Sequence, residues 1–279
     1  MERLTQIQVV TEIQVITKYR RGQSRRGDHL QKHDEIMSEL EPAIGEFRKG
    51  NFVLLHDSST RENEFDLVVA SELVSEEHVR VMRGDAGGLL CLTVDRTVGE
   101  RLGLGFLQDI FASSATRFPV LRGLVEEKEP YGDRPAFSIT VNHRRTFTGV
   151  TDQDRALTIR EMGKISKMVL ENHPNCRLEF TRQFKSPGHV HLLLESEGSI
   201  SRRRGHTELS LQLCRLAGLT PSAAICEMLD GKTHRALGMI GASAYARDHG
   251  LCIIDGEQLV RHYLASSECH PTLSYPSVS

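Results

Sequence analysis

The chain has 279 residues, 39% hydrophobic and 26% charged, with 35 basic against 37 acidic side chains. That length can bury the core of one large domain or two smaller ones, and we expect one; no apolar run is long enough to span a bilayer. A formal charge of −2 gives no global field to recruit nucleic acid or an anionic membrane, so any anion must be caught locally.

Residues 1 to about 35 alternate Ile and Val with polar residues, then enter a basic run that includes Arg20 to Arg26. No core face emerges, and this stretch reads as an extension without assigned function. The spacing of Ile36, Leu40, Ile44 and Phe47 predicts a helix, and Gly50 closes it. Two apolar runs, Phe52 to Leu55 and Leu67 to Ala70, read as buried strands. Between them lies Arg61-Glu62-Asn63-Glu64-Phe65-Asp66. If this stretch is extended, Glu62, Glu64 and Asp66 share one face, where crowded carboxylates call for a divalent cation or a polar substrate. A solvated hairpin tip is the alternative.

Ser75 heads a short helix that Gly84 can end, and Gly87-Gly88 leads into the strand Leu89 to Val94, on which Cys91 reads as a buried core thiol. A long connection over about 105–134 precedes the strand Phe137 to Val141. Thr151 or Asp152 can cap the next helix, with Leu157, Met162, Ile165 and Val169 on its apolar face. Pro187-Gly188-His189 leads into the strand Val190 to Leu194. Thr207 starts a helix ended by Gly218, and Ala223 to Glu227 reads as a strand carrying a carboxylate at its end. A helix over about 235–249, the strand Leu251 to Ile254 and a helix from Glu257 to Leu264 follow, with an unstructured tail over 266–279. The alternation predicts an α/β (α+β) three-layer sandwich, a mixed sheet flanked by helices, as a single domain over 36–265. Six cysteines without a C-x-x-C pair, and no signal-peptide apolar region, point to reduced thiols in the cytoplasm.

Arg203-Arg204-Gly205-His206-Thr207-Glu208 places guanidinium, glycine and hydroxyl at a helix N-terminus around an imidazole, a grouping able to hold a phosphate and a metal together. With Thr148-Gly149-Val150-Thr151, Pro187-Gly188-His189-Val190 and Ile225-Cys226-Glu227, and in this order and spacing, the chain resembles the 3,4-dihydroxy-2-butanone 4-phosphate synthases. Phe137-Ser138-Ile139-Thr140-Val141-Asn142-His143 resembles the archaeal branch.

The resemblance implies a homodimer with active sites at the interface and two divalent ions, magnesium with manganese as a substitute. It also implies conversion of the sugar phosphate ribulose 5-phosphate to 3,4-dihydroxy-2-butanone 4-phosphate and formate, for riboflavin synthesis. By position it implies Glu62 and His206 as metal ligands. Arg61, Arg203, Gly205 and Thr207, with Arg204 beside them and Thr148 from the facing subunit, fall at substrate contacts. Asp57, Glu64, Asp66, Cys91, His189 and Glu227 fall at the remaining active-site positions, with His189 and Glu227 moving protons and Asp66 and Glu227 also touching substrate. Phe65, Ser59 and Arg204 depart from the common pattern near the acidic loop and the substrate. Two other readings stay open: a metal-dependent isomerase that stops at the enediol, and an anion or nucleic-acid module using Arg20 to Arg26 and Arg202 to Arg204.

Overall fold

The computed structural model describes residues 35–125 and 131–269, so the extension over 1–34 lies outside the described residues. Helix α1 spans 35–48 and buries Ile36, Leu40, Ile44 and Phe47. Then come β1 (Val53–His56), β2 (Phe65–Ala70), α2 (Glu76–Val81), β3 (Cys91–Val94), α3 (Arg96–Leu102), α4 (Leu107–Ser114) and β4 (Phe137–His143). The second half holds α5 (Asp152–Leu170), α6 (Cys176–Gln183), β5 (Phe184–Leu194), α7 (His206–Ala217), β6 (Ala223–Glu227), β7 (Leu229–Asp230), β8 (Arg235–Ala236), α8 (Met239–His249), β9 (Cys252–Asp255) and α9 (Gly256–Cys269).

One compact unit, Glu41–Val260, carries the sheet and every candidate site residue; the described residues 35–40 and 261–269 fall outside it. Seven strands form a mixed sheet in the order β4-β5-β3-β6-β2-β1-β9. Period-2 alternation divides its side chains between two faces. Leu54, Leu67, Val69, Leu92, Leu192 and Ala224 pack with Ile159, Met162 and Ile165 of α5 on one face. On the other lies α7, where Ser210 donates to Thr93 Oγ1 at 3.3 Å. The mixed sheet flanked by helices follows the sequence pattern.

Local chemistry accounts for most of the boundaries. Thr151 caps α5 by accepting the Asp154 N–H, and α7 and α8 end at Gly218 and Gly250, both left-handed. Elsewhere the structure corrects the sequence. Gly84 does not end α2; a π-helical turn over Met82–Ala86 continues it to left-handed Gly87, burying Met82 and Ala86. The long connection over 105–134 holds α4. The helix expected from about 235 starts at Met239, because Asp230 accepts the Lys232 N–H and the Thr233 hydroxyl and turns the chain into the β7–β8 hairpin. Helix α9 continues beyond Leu264 to Cys269, so the first four residues of the expected tail are helical.

The strand expected from Val190 begins at Phe184. Pairing with β4 jumps from Val141↔Val190 to Asn142↔Lys185, so Ser186 to His189 bulge out of the ladder. Gly188 allows this: a Cβ there would lie 2.0 Å from the Val141 carbonyl carbon.

Candidate active site

The site forms where one end of the sheet meets the start of α7. Strand β1 ends there, β2 and β3 begin there, and β6 finishes there at Glu227. Register ties these ends together: Asp66 pairs with Glu227, Cys91 with Ile225, and Cys91 with His191. Asp66, Cys91 and Glu227 share the α7 face, and His189 lies beyond His191 at the same end.

The acidic loop is shaped by Asp57. Its buried carboxylate accepts the Glu62 N–H at 2.9 Å, the Glu64 N–H at 3.1 Å and an Arg61 Nη1–H at 3.2 Å. Glu62 therefore reaches the site from a turn rather than by extended alternation, which left-handed Asn63 interrupts. Phe65 does not intrude on the loop: its ring is buried and stacks on His56 at 4.7 Å.

Opposite the loop stands His206, the first residue of α7. Its Nε2 lies 3.3 Å from the Glu64 carbonyl oxygen and 3.6 Å from Asp66 Oδ1, two acceptors, so this nitrogen carries a proton. Its Nδ1 faces Glu62 Oε2 at 3.3 Å. With a neutral ring these would be two lone pairs in opposition, so a proton or a cation must lie between them.

Titration follows from the crowding. Burial pushes His206 down, but the Asp66, Glu62 and Asp57 carboxylates outweigh it and raise the imidazole to about 9. Burial pushes Glu62 up, and its bonds and charge contacts with His206 and Arg61 overcome this and hold it at about 2. Asp66 is pushed up to about 8 by burial, opposed by His206 and reinforced by Glu227, Glu62 and Glu64. Burial, then Glu62 and Glu227, also raise Glu64. The Cys91 thiol is raised well above its ordinary value, first by burial and then by Glu227, which favours packing over a thiolate role.

Oxygen and imidazole donors from Glu62 and His206 suit a divalent cation. Asp57 lies close enough to complete a three-residue group. Its carboxylate is already committed to two amides and a guanidinium, however, which leaves Glu62 and His206 as the pair better placed to hold one. Asp66, buried behind His206 with Oδ1 lacking a hydrogen-bond partner, is placed to orient the imidazole.

Beside this pair lies a cradle for an anion. Glycine caps α7 without a side-chain hydrogen bond, so the helix presents free N–H groups there. A Cβ on Gly205 would lie 2.5 Å from Arg203 Nη1 and 2.8 Å from Arg61 Nη2, so only glycine lets both guanidinium groups come this close. Arg61 Nη2 and Arg203 Nε are buried without hydrogen-bond partners, Arg203 Nε lying 4.0 Å from Asp133 Oδ2. Arg203 is fixed by buried Glu208 at 2.6 Å, and Arg61 by Glu62 at 2.8 Å and Asp133 at 2.8 Å, with its guanidinium 4.4 Å from the Tyr131 ring centre. Burial opposes the Arg61 charge, and Glu62 and Asp133 more than restore it.

Thr207 is buried at the same helix start, whereas Arg204 and Ser59 are exposed. Glu227 Oε2 accepts the Leu89 N–H at 2.7 Å, and a Cβ on Gly88 would lie 2.5 Å from it, which gives the Gly87-Gly88 turn its purpose. Thr148 sits on the exposed β4–α5 turn, its hydroxyl 3.5 Å from Asp154, apart from this cluster within one chain. Sequence reasoning did not single out Asp133, Tyr131, Asn142 or His191 and gave Glu208 no role. Of these, Glu208, two positions after His206, had a local signal.

The profile of the 3,4-dihydroxy-2-butanone 4-phosphate synthase family matches residues 41–262. The chain is 44% identical over 230 residues to the synthase of Methanothermobacter thermautotrophicus, covering 82% of this chain and 98% of that one. Its identity to the Archaeoglobus fulgidus synthase is 40% over 239 residues, covering 85% and 99%. A solved synthase in complex with two magnesium ions superimposes with a TM-score of 0.65 at 29% identity, covering 82% of this chain and 98% of that structure.

Both His206 and Asp66 titrate above their ordinary values, so their effects on stability have the same sign. The His206 contribution is complete below its ordinary value of 6.5 and is lost as pH rises through about 9. The folded state resists ionising Asp66, so stability declines between 3.8 and about 8. In EDTA the Tm should fall as pH rises from about 6 to about 9, and Asp66→Asn should flatten this fall and raise Tm at the alkaline end. A Tm that is flat or rising across this window contradicts the assignment.

Proposed function

The chain belongs to the 3,4-dihydroxy-2-butanone 4-phosphate synthase family, and we propose that residues 36–265 form a lyase domain serving riboflavin synthesis. It converts D-ribulose 5-phosphate to L-3,4-dihydroxy-2-butanone 4-phosphate and formate. The observation that carries this reading is the pairing of Glu62 and His206 Nδ1 beside two guanidinium nitrogens without hydrogen-bond partners at the start of α7. A cation site and a phosphate site thereby adjoin, as a sugar phosphate with a ketone requires.

Arg61, Arg203, Thr207 and the free N–H groups from Gly205 onward bind the phosphate. Arg204, exposed at the rim, adds charge without a fixed position, and Arg203 is buried against Glu208. Glu62 and His206 would hold two magnesium ions, replaceable by manganese, whose charge stabilises enediolate oxygens. Asp57 keeps the acidic loop in shape. Glu227 is the base for carbon-bound protons, positioned by the Leu89 N–H, and His189 assists proton movement at the substrate oxygens. Glu64 and Asp66 keep the pocket acidic and orient His206, Asp66 lies within reach of the substrate, and Cys91 lines the wall. Enolisation, loss of water, a carbon-skeleton shift and readdition of water with release of formate account for every atom of the substrate.

The enzyme works as a homodimer in which Thr148 reaches the facing subunit's site. Its support is the apolar surface beside Thr148, where Phe147 is 93% and Val150 51% exposed. Five free cysteines among the described residues fit a reducing, cytoplasmic setting.

Glu62→Gln and His206→Ala should each lower formate release from ribulose 5-phosphate at least about a hundredfold with the fold retained, because each removes a ligand for the stabilising charge. Substrate consumption without formate would favour the isomerase reading. Sedimentation should give a dimer that Phe147→Glu weakens; a monomeric parent protein contradicts the shared site.

A further inference from the structure

Asn142 stands where the β4–β5 ladder breaks, and its buried amide touches His189 twice. The His189 backbone N–H donates to Asn142 Oδ1 at 2.8 Å. Asn142 Nδ2 lies 3.1 Å from His189 Nδ1. Chemistry fixes the orientation of the amide: a backbone N–H can only donate, so it selects the oxygen and turns the NH2 toward the ring. The NH2 likewise can only donate. His189 Nδ1 must therefore accept, and the single proton of the neutral ring resides on Nε2.

The surroundings are built for this contact. Gly149 has φ of +93°, and a Cβ there would lie 2.0 Å from Asn142 Nδ2, so any other residue would displace the amide. Gly188 lets the bulge pack on the β4 backbone. The Asp154 carboxylate accepts the Gly149 N–H at 2.8 Å, and the Asp154 backbone N–H donates to Thr151 Oγ1 at the capped start of α5. The signatures around Gly149 and Gly188 thus meet at one side chain. To close the bulge, Asn142 needs only its oxygen; the second contact, ring to NH2, is what a proton-moving histidine requires.

We propose that Asn142 is a positioning residue that fixes His189 in its Nε2–H tautomer, so that the ring presents a donor, not a lone pair, to the substrate. The inference rests on the reading of His189 as a group that assists proton movement. Carbon-bound protons are then removed by Glu227, while His189 donates a hydrogen bond to oxygens that gain negative charge.

The test is Asn142→Asp in the full chain with magnesium. The carboxylate still accepts the His189 N–H but presents an acceptor to Nδ1, so the ring should reverse to its Nδ1–H tautomer, read by ¹⁵N NMR of histidine-labelled protein. With ribulose 5-phosphate, kcat should fall about a hundredfold with KM unchanged, the scale of a lost acid–base contribution. An unaltered tautomer, or a reversed tautomer with unaltered kcat, overturns the proposal. If Asn142→Asp does not fold, Asn142→Ala serves: a mixture of tautomers with a lowered kcat supports the assignment, and one fixed Nε2–H form overturns it. His189→Gln separates the underlying reading: full turnover in that variant rejects the role of the ring, whereas the tautomer shift is measured independently of turnover.

Discussion

The acidic loop keeps its shape because one buried carboxylate binds three groups of the loop itself. Asp57 accepts the N–H groups of Glu62 and Glu64 and an N–H of Arg61, all from residues that follow it closely. These bonds turn the Glu62 side chain toward α7, where the fold has already set His206. Without Asp57 the loop would be a run of like charges with no reason to converge. Its cost is that carboxylates crowd a pocket in which burial raises Asp66 and Glu64, while the carboxylates themselves hold His206 charged against burial. A divalent cation held between Glu62 and His206, as proposed, would relieve that crowding, so loop shape, titration and cofactor demand would share one cause.

The cradle proposed for phosphate depends on the same convergence from the other side. Helix α7 supplies the free N–H groups, Gly205 removes the Cβ that would force the Arg61 and Arg203 guanidinium groups apart, and Glu208 anchors Arg203 from beneath. Arg61 joins the halves: it binds Asp57 and Glu62 of the loop while its free Nη2 reaches the cradle. Anion and cation sites are thus mechanically linked through one side chain.

Much of this was legible locally. Thr151, Gly218 and Gly250 mark helix ends through capping, and the strand cores follow from apolar runs bounded by turns. The clustering of Glu62 and His206, 144 residues apart, was readable only through the family resemblance. Asp133 gave no signal because its partner Arg61 lies 72 residues away, and Asn142, just past the strand expected to end at Val141, gave none because its partner sits across a bulge. Boundaries failed where tertiary packing outweighed local preference, as at the π-helical turn that carries α2 past Gly84.

The proposed function divides labour within the acidic cluster, with Asp57 as the support and Glu62 with His206 as the ligands that would hold the cation. Anomalous scattering from crystals grown with manganese tests this most directly. The predicted result is density bonded to the Glu62 carboxylate and His206 Nδ1, with Asp57 still holding its backbone amides. An ion bound by Asp57, or none bound by His206, would contradict it.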